Sequence, residues 1–555
     1  MSPFRTASGL ITMLGDVIFF RKGGAGNAPF DAPQLGRLVE AAESWSRSAA
    51  TGIPGVTVVT VTTRVDTLTF SPIYNIGTEN VRPGGDWRPQ VYFPFTMPVI
   101  TPRRLLLLAL ITAAAIGTFP ALSRSAATTK IYYVAMDGSD SNAGDSLDKP
   151  FRTLERAVDA VKPGEAIELR AGDHRGMKIG KPGAPDGWIT LRRHGQEKAR
   201  IVSSRSGRPT LYFYHRTCDE DTPNNYPCKP LYWSVEGLEI EGSGSGGGDD
   251  NVVKIDTPRV RLKGNNLYGS SADVVKLVHT ADDVEILENE IHHPRAKPGA
   301  NAQGIDIVGA DRTRVVHNHV HDIPSIGVYA KGNSRNTVFE ANLVENTFSH
   351  GIMLGQETDA HRLRDGKYET YDGIMRNNVV RHAGWSCFAT SSSFRVRIYN
   401  NTCYQERSNL HGAILLSNES EVGQAGTHVE IVNNIIHGPS NLPIMKIVAR
   451  ALTDPATLIV DYNVYWTPRG AESVTFTWRD RNLEQVPFSR WQRVTGQDAH
   501  SRVADPLFAA LQSLRPAGTS PAAGAGIPTP YVTSDFADAA RPSGRIDIGA
   551  YEFSQ

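Results

Sequence analysis

Between Tyr232 and Trp466 apolar and polar residues alternate in one recurring pattern: apolar, any, apolar, two residues, Asn, any, apolar. Val260, Leu262, Asn265 and Leu267 carry it first, then Val284, Ile286, Asn289 and Ile291, and it continues around Asn318, Asn342, Asn378, Asn401, Asn434 and Asn463. Spacings of 24, 29, 24, 36, 23, 33 and 29 residues are too uneven for a helical solenoid of fixed repeat. They suit strand coils joined by loops of variable length. Alternation of period two predicts a short strand in every repeat, and such a strand cannot bury its inner face alone. Coils stacked about 4.8 Å apart solve this, because each strand pairs with the next and the Asn side chains form a continuous amide ladder at a turn. The predicted fold is all-β, a right-handed parallel β-helix. A β-propeller would show about four strands per repeat of roughly 40 residues with recurrent aromatic signatures, which are missing here.

The segments "VEIVNNIIHG", "VRIYNNTCYQ" and "TRVVHNHVHD" resemble the pectate-lyase-like superfamily of parallel β-helix proteins. "IYYVAMDGSDSNAGDSLDKPFRTLERAVDAVKPGEAIELRAGDHRG" (131–176) resembles the usual entry to secreted bacterial β-helices, and "RIDIGAYEF" (545–553) their usual exit. The resemblance covers residues 130–555, and its motifs are specific for fold rather than for activity.

Residues 1–96 carry no clear periodicity. Met97, Arg103 and Arg104, the apolar run Leu105–Ile116 and the small residues Ser125 and Ala127 have the layout of a secretory signal peptide, too short for a comfortable membrane span. Translation from Met97 and cleavage near Thr128 are expected, with an N-terminal extension and internal signal anchor as the alternative. Residues 128–230 then form an N-terminal cap and first coils, 231–466 the repeats, and 467–555 the last coils and a second cap. An amphipathic helix with Leu154, Ala157, Val158 and Val161 on one face is expected to cover the open first coil, and Trp478 and Trp491 to cover the last. "AIELRAG" and "WITLRRH" begin the winding, and "GSGSGGG" (242–248) is a loop with a conformational role. Charge is balanced, 58 basic against 58 acidic residues. That argues against a nucleic-acid binder relying on many phosphate contacts. The mature chain is expected to be a secreted monomer without stable membrane insertion. Of the four cysteines, Cys218 and Cys228 bracket one polar loop and are expected to pair; Cys387 and Cys403 either meet within a coil or stay buried thiols.

Aligned strands "VVKID", "VVKLV", "GIDIV", "GVYAK" and "GIMLG" set Val253, Ile255, Val275, Leu277, Ile305, Ile307, Val328 and Ala330 inward. Lys254, Lys276, Asp306 and Tyr329 then form one outward stripe, flanked by Asp256 and Lys331. This composition fits a lyase acting on a uronate polymer, which needs a cation for the substrate carboxylate and a base for the α-proton. Lys276 or Tyr329 is the expected base, with Asp306 the third catalytic candidate. Lys254, Lys331, His350, Glu357, Arg362 and Arg364 are the expected substrate-binding residues, several of them on the insertion between Gly355 and Gly373. Resemblance to lyases in which Ca²⁺ bridges acidic sugars makes Asp306 and Asp256 its expected ligands. A purely structural Lys/Asp/Tyr ladder is the competing reading.

A second stripe follows the ladder: His292 and His293, His321 and Asp322, Glu345 and Asn346, Arg381 and His382, Tyr404 and Gln405, and His437. It offers turn residues, acid–base groups or metal ligands. No His-x-x-x-His on a helix points to zinc. The alternatives to a polysaccharide lyase are a glycosidase using Asp306 and Glu357, and a non-catalytic glycan-binding protein whose aromatic platforms would include Tyr329, Tyr404 and Trp385.

Overall fold

The computed structural model describes residues 129–553 apart from 217, 219–227, 357, 360–362 and 419–423, together with five short strands between residues 4 and 68. Two compact units divide the chain at residues 122 and 123. In the first, Phe4–Thr6, Gly9–Leu14 and Val17–Arg21 pair antiparallel, as do Thr63–Arg64 and Thr67–Leu68. The expected signal segment, 97–127, lies outside the described residues.

The second unit is a coil of strands. Each turn contributes one strand to each of three long sheets, and inside each sheet the coils pair in parallel, as in Val260–Lys263 with Glu285–Leu287 on the first and Asn266–Tyr268 with Glu290–His292 on the second. Only the last pairing of the third sheet, Thr475–Trp478 with Leu483–Pro487, is antiparallel. Alternation decides what is buried: Val253, Ile255, Val275, Leu277, Ile305, Ile307, Val328 and Ala330 are all fully inside.

The amide ladder is complete. From Asn265 to Asn463 each Asn donates its Nδ2 to the Oδ1 of the next at 2.9–3.0 Å, and that same Oδ1 accepts the preceding coil's Asn backbone N–H at 2.8–3.0 Å. Each Asn is preceded by a residue at positive φ, from Gly264 at 63° through Glu288, His317, Ala341, Asn377, Asn400 and Asn433 to Tyr462 at 55°. That left-handed residue swings the chain from the first sheet to the second, so its steric cost recurs once per coil and the ladder offsets it.

Both ends are covered as expected. Helix Leu154–Ala160 is capped by Thr153, whose hydroxyl accepts the Arg156 N–H at 3.2 Å, and it buries Leu154, Ala157 and Val158. At the other end Trp478 and Trp491 are buried with ring centroids 5.9 Å apart. Asp498 lies beneath this cap, accepting from Tyr465 Oη at 2.9 Å, Trp491 Nε1 at 2.7 Å and Ser501 Oγ at 2.6 Å. Burial pushes its carboxyl up to about 6. Folding therefore favours its protonated form, and that stability is fully present below the ordinary carboxyl value of 3.8 and lost as pH rises through about 6. Asp498→Asn should flatten the fall of the unfolding midpoint between those two pH values.

Cys218 pairs with Cys228 and Cys387 with Cys403, with Cα atoms 4.9 and 5.9 Å apart. Among the described residues, no helix is long and apolar enough to cross a membrane.

Candidate active site

Strands Val253–Ile255, Val275–Leu277, Ile305–Val308 and Val328–Lys331 lie side by side in the third sheet, and their register aligns Lys254, Lys276, Asp306 and Tyr329 in one column. Above it opens a cleft of about 580 Å³ lined by Lys254, Asp273, Lys276, His279 and Lys331, with walls from the Gly246–Gly248 loop, Asp249, Thr358 and Asp359. The glycine-rich loop and the long insertion thus meet at the same opening. Cleft residues come from five coils, which suits an extended ligand lying across the strands.

Lys276 is the centre of the charge arrangement. Its ammonium bonds the Asp306 carboxylate and lies 3.2 Å from Asp273 Oδ2. Asp273 in turn accepts the Gln303 backbone N–H at 2.9 Å. Burial pulls the Lys276 pKa down, but Asp306 and Asp273 together outweigh it and hold the amine well above its usual range. Burial pushes Asp273 above the ordinary carboxylate range, with Lys276 opposing and Asp306 adding to the shift. Lys276 therefore stays protonated, which corrects its expected use as the base: it is an anchored cation instead.

The other expected site residues divide. Lys254, 3.1 Å from Asp249, and Lys331, whose amine lies 4.9 Å over the Tyr329 ring, both line the cleft. Tyr329 is only 3% exposed and donates its hydroxyl proton to the Gln356 carbonyl at 2.7 Å. The expectation of Tyr329 as a base is corrected on that ground, since it is packed under the insertion. Arg364 is likewise occupied, with contacts to Asp311 at 2.5 and 3.0 Å and to the Gly309 and Asn333 carbonyls at 3.1 and 2.8 Å. It ties the insertion to the coils rather than offering a free fork to substrate. His350 is buried, stacked on His411 at 5.9 Å and edge-on to Trp385 at 5.3 Å, and burial and His411 push its pKa down to about 3. It is a neutral core group and not a substrate contact. Glu357 and Arg362 lie outside the described residues.

The expected metal pair also separates. Asp306 faces Lys276, whereas Asp256 takes the hydroxyl of Tyr212 on the other side. They stand two coils apart, about 10 Å, while ligands to one Ca²⁺ at about 2.3–2.6 Å lie within about 5 Å of one another. The cation beside Asp306 is the lysine's own, so these residues do not fit a shared Ca²⁺.

The second stripe also stacks in register on the second sheet, His292, His321, Glu345, Arg381, Tyr404 and His437 forming one column. Burial and then His321 push His292 down to about 4.

Residues 250–436 match the model of a family described as the right-handed β-helix region. The solved structure of pectate lyase Pel9A superposes with a TM-score of 0.52 at 15% identity, covering 77% of this chain and 97% of that one. The fold is the right-handed parallel β-helix. Among curated proteins this β-helix is similar to the uncharacterized protein YwoF of Bacillus subtilis (strain 168), 24% identical over 444 residues, which are 68% of this chain and 88% of that protein. It is also similar to pectate lyase L of Dickeya chrysanthemi, 29% identical over 126 residues, 22% of this chain and 29% of the relative.

Reading strands for alternation missed three cleft residues of this β-helix. Asp249, Asp273 and His279 all sit in the turns that flank the third-sheet strands, where period two says nothing about direction. One signal was legible: Asp273 precedes Lys276 by three residues, close enough to reach its amine.

Proposed function

We propose that this protein cleaves an acidic, uronate-containing polysaccharide by β-elimination in the third-sheet cleft. What carries the reading is Lys276, an ammonium fixed by two carboxylates at the floor of an elongated cleft and flanked by Lys254 and Lys331. A uronate carboxylate that accepts a hydrogen bond from this ammonium, already shared by Asp273 and Asp306, has its charge partly offset, which acidifies the α-hydrogen and stabilises the enolate-like charge that forms when it leaves. Lys254, one coil away, binds the neighbouring sugar's carboxylate. Proton abstraction falls to Lys331, half-buried on the same cleft and two coils beyond Lys276. The similarity of part of the chain to pectate lyase L supports this class of substrate, and the two disulfides fit an exported protein.

A glycosidase is less well supported. Such an enzyme needs two carboxyl groups facing across the reacting bond; of the expected pair, Asp306 is engaged by Lys276 and Glu357 lies outside the described residues.

The test is the ultraviolet absorbance of unsaturated uronate ends released from polygalacturonate, alginate and glycosaminoglycans, with Ca²⁺ and with a chelator. We expect a rise on one of these polymers that survives chelation, because the cation beside Asp306 is Lys276. Reducing ends without absorbance would indicate a hydrolase, and neither product would leave a glycan-binding protein.

A further inference from the structure

The second sheet carries a cluster that the cleft does not use. Its register sets His292 on His321 of the next coil, with stacked ring centroids 4.9 Å apart. The residues that follow, His293 and Asp322, both adopt left-handed backbone with φ of 43° and 54°, so their side chains leave adjacent coils at equivalent points. Four ligand-type side chains therefore form a two-by-two square whose spacing is set by the sheet, about 4.8 Å. Within it His293 Nε2 lies 3.5 Å from Asp322 Oδ2, and His321 Nδ1 lies 2.7 Å from the same oxygen. A tetrahedral zinc ion with bonds of about 2.0–2.1 Å has ligand-to-ligand edges of about 3.3 Å. Small side-chain shifts bring the three atoms to that geometry.

The hydrogen bonds around the square orient all three groups. His292 Nε2 donates to Asn266 Oδ1 at 2.7 Å, which leaves the neutral ring a lone pair on Nδ1. That nitrogen faces His293 Nδ1 at 2.7 Å, so His293 carries its proton there and turns the lone pair of Nε2 toward Asp322. A lone pair and a carboxylate now face each other, an arrangement that calls for a cation between them. Asn346 holds the other Asp322 oxygen at 3.1 Å, and Glu290 lies 3.3 Å from His321 Nε2. A ligand whose second polar atom is held by a carboxylate, an amide or another ring is how proteins fix metal-binding side chains.

We propose that His293 Nε2, His321 Nδ1 and Asp322 Oδ2 bind one Zn²⁺ at this turn, with a water completing the site. On binding, the His321 proton moves from Nδ1 to Nε2, where Glu290 accepts it. Two imidazoles and one carboxylate favour zinc over Ca²⁺ or Mg²⁺. Coil spacing here does what the four-residue step of a helix does elsewhere, and the ion clamps two adjacent coils together.

Zn²⁺ is titrated into the full chain, made without a polyhistidine tag, in competition with a chromogenic chelator. We expect one zinc per chain, weakened about 10-fold or more in Asp322→Ala and in His293→Ala. His382→Ala, two coils further on in the same turn, should bind as the native chain does. The side chains of His293 and Asp322 are 62% and 38% exposed, so both variants should fold, and zinc should raise the unfolding midpoint of the native chain but not theirs. No stoichiometric binding, or equal binding by all three variants, would overturn the proposal and mean that a proton on His293 meets Asp322 instead.

Discussion

Asn342→Ala lowers the free energy of unfolding by about 4 kcal/mol, because one side chain leaves several buried groups without partners. Asn342 is fully buried. Its Oδ1 accepts both the backbone N–H and the Nδ2 of Asn318, at 3.0 Å each, and its Nδ2 donates to the Val315 carbonyl at 2.8 Å and to Asn378 Oδ1 at 3.0 Å. Alanine removes all four bonds and admits no replacement from solvent. Guanidinium denaturation followed by far-ultraviolet circular dichroism measures the change. Gln196→Ala, at an exposed position, should shift stability by no more than about 0.5 kcal/mol. An Asn342 variant as stable as that control would mean that the amide ladder is ornamental.

Lys276→Ala should lower turnover on the uronate polymer by about 100-fold or more, the usual cost of removing a preorganised group that stabilises developing charge. The fold should survive. Asp273 keeps its bond from the Gln303 backbone N–H, and Lys276 lines an open cleft whose water takes the ammonium's place. Circular dichroism checks the fold while steady-state kinetics check turnover. Lys331→Ala, which removes the proposed base, should lower turnover by a similar factor while leaving the fold intact. Full activity in Lys276→Ala would sink the assigned mechanism.

The coil architecture was legible in sequence because its cause is local and repeated. A strand that buries one face must alternate, and a turn that stacks on copies of itself rewards the same Asn each time. Eight independent repeats therefore carry the ladder, the inward apolar positions and the Lys254–Lys276–Asp306–Tyr329 column, and all three appear as read. The caps were legible for a related reason, since an apolar helix face and two tryptophans at the chain's ends have an open coil to cover.

What sequence could not determine was the state of each side chain in the column. Lys276 is a fixed cation because Asp273 comes from a turn and Asp306 from the next coil, and the balance between burial and two carboxylates depends on distance. Tyr329, His350 and Arg364 read as solvent-facing chemistry, but the insertion after Gly355 folds over the first and is held down by the third, while His350 packs against Trp385 and His411. Asp256 and Asp306 were expected to share Ca²⁺, but each takes its own partner, Tyr212 and Lys276. Periodicity tells which face a residue occupies, and that was determined by the chain alone. Which groups touch across coils, and so which protons they keep, was decided only by the tertiary structure, because loops of unequal length set what lies over each face.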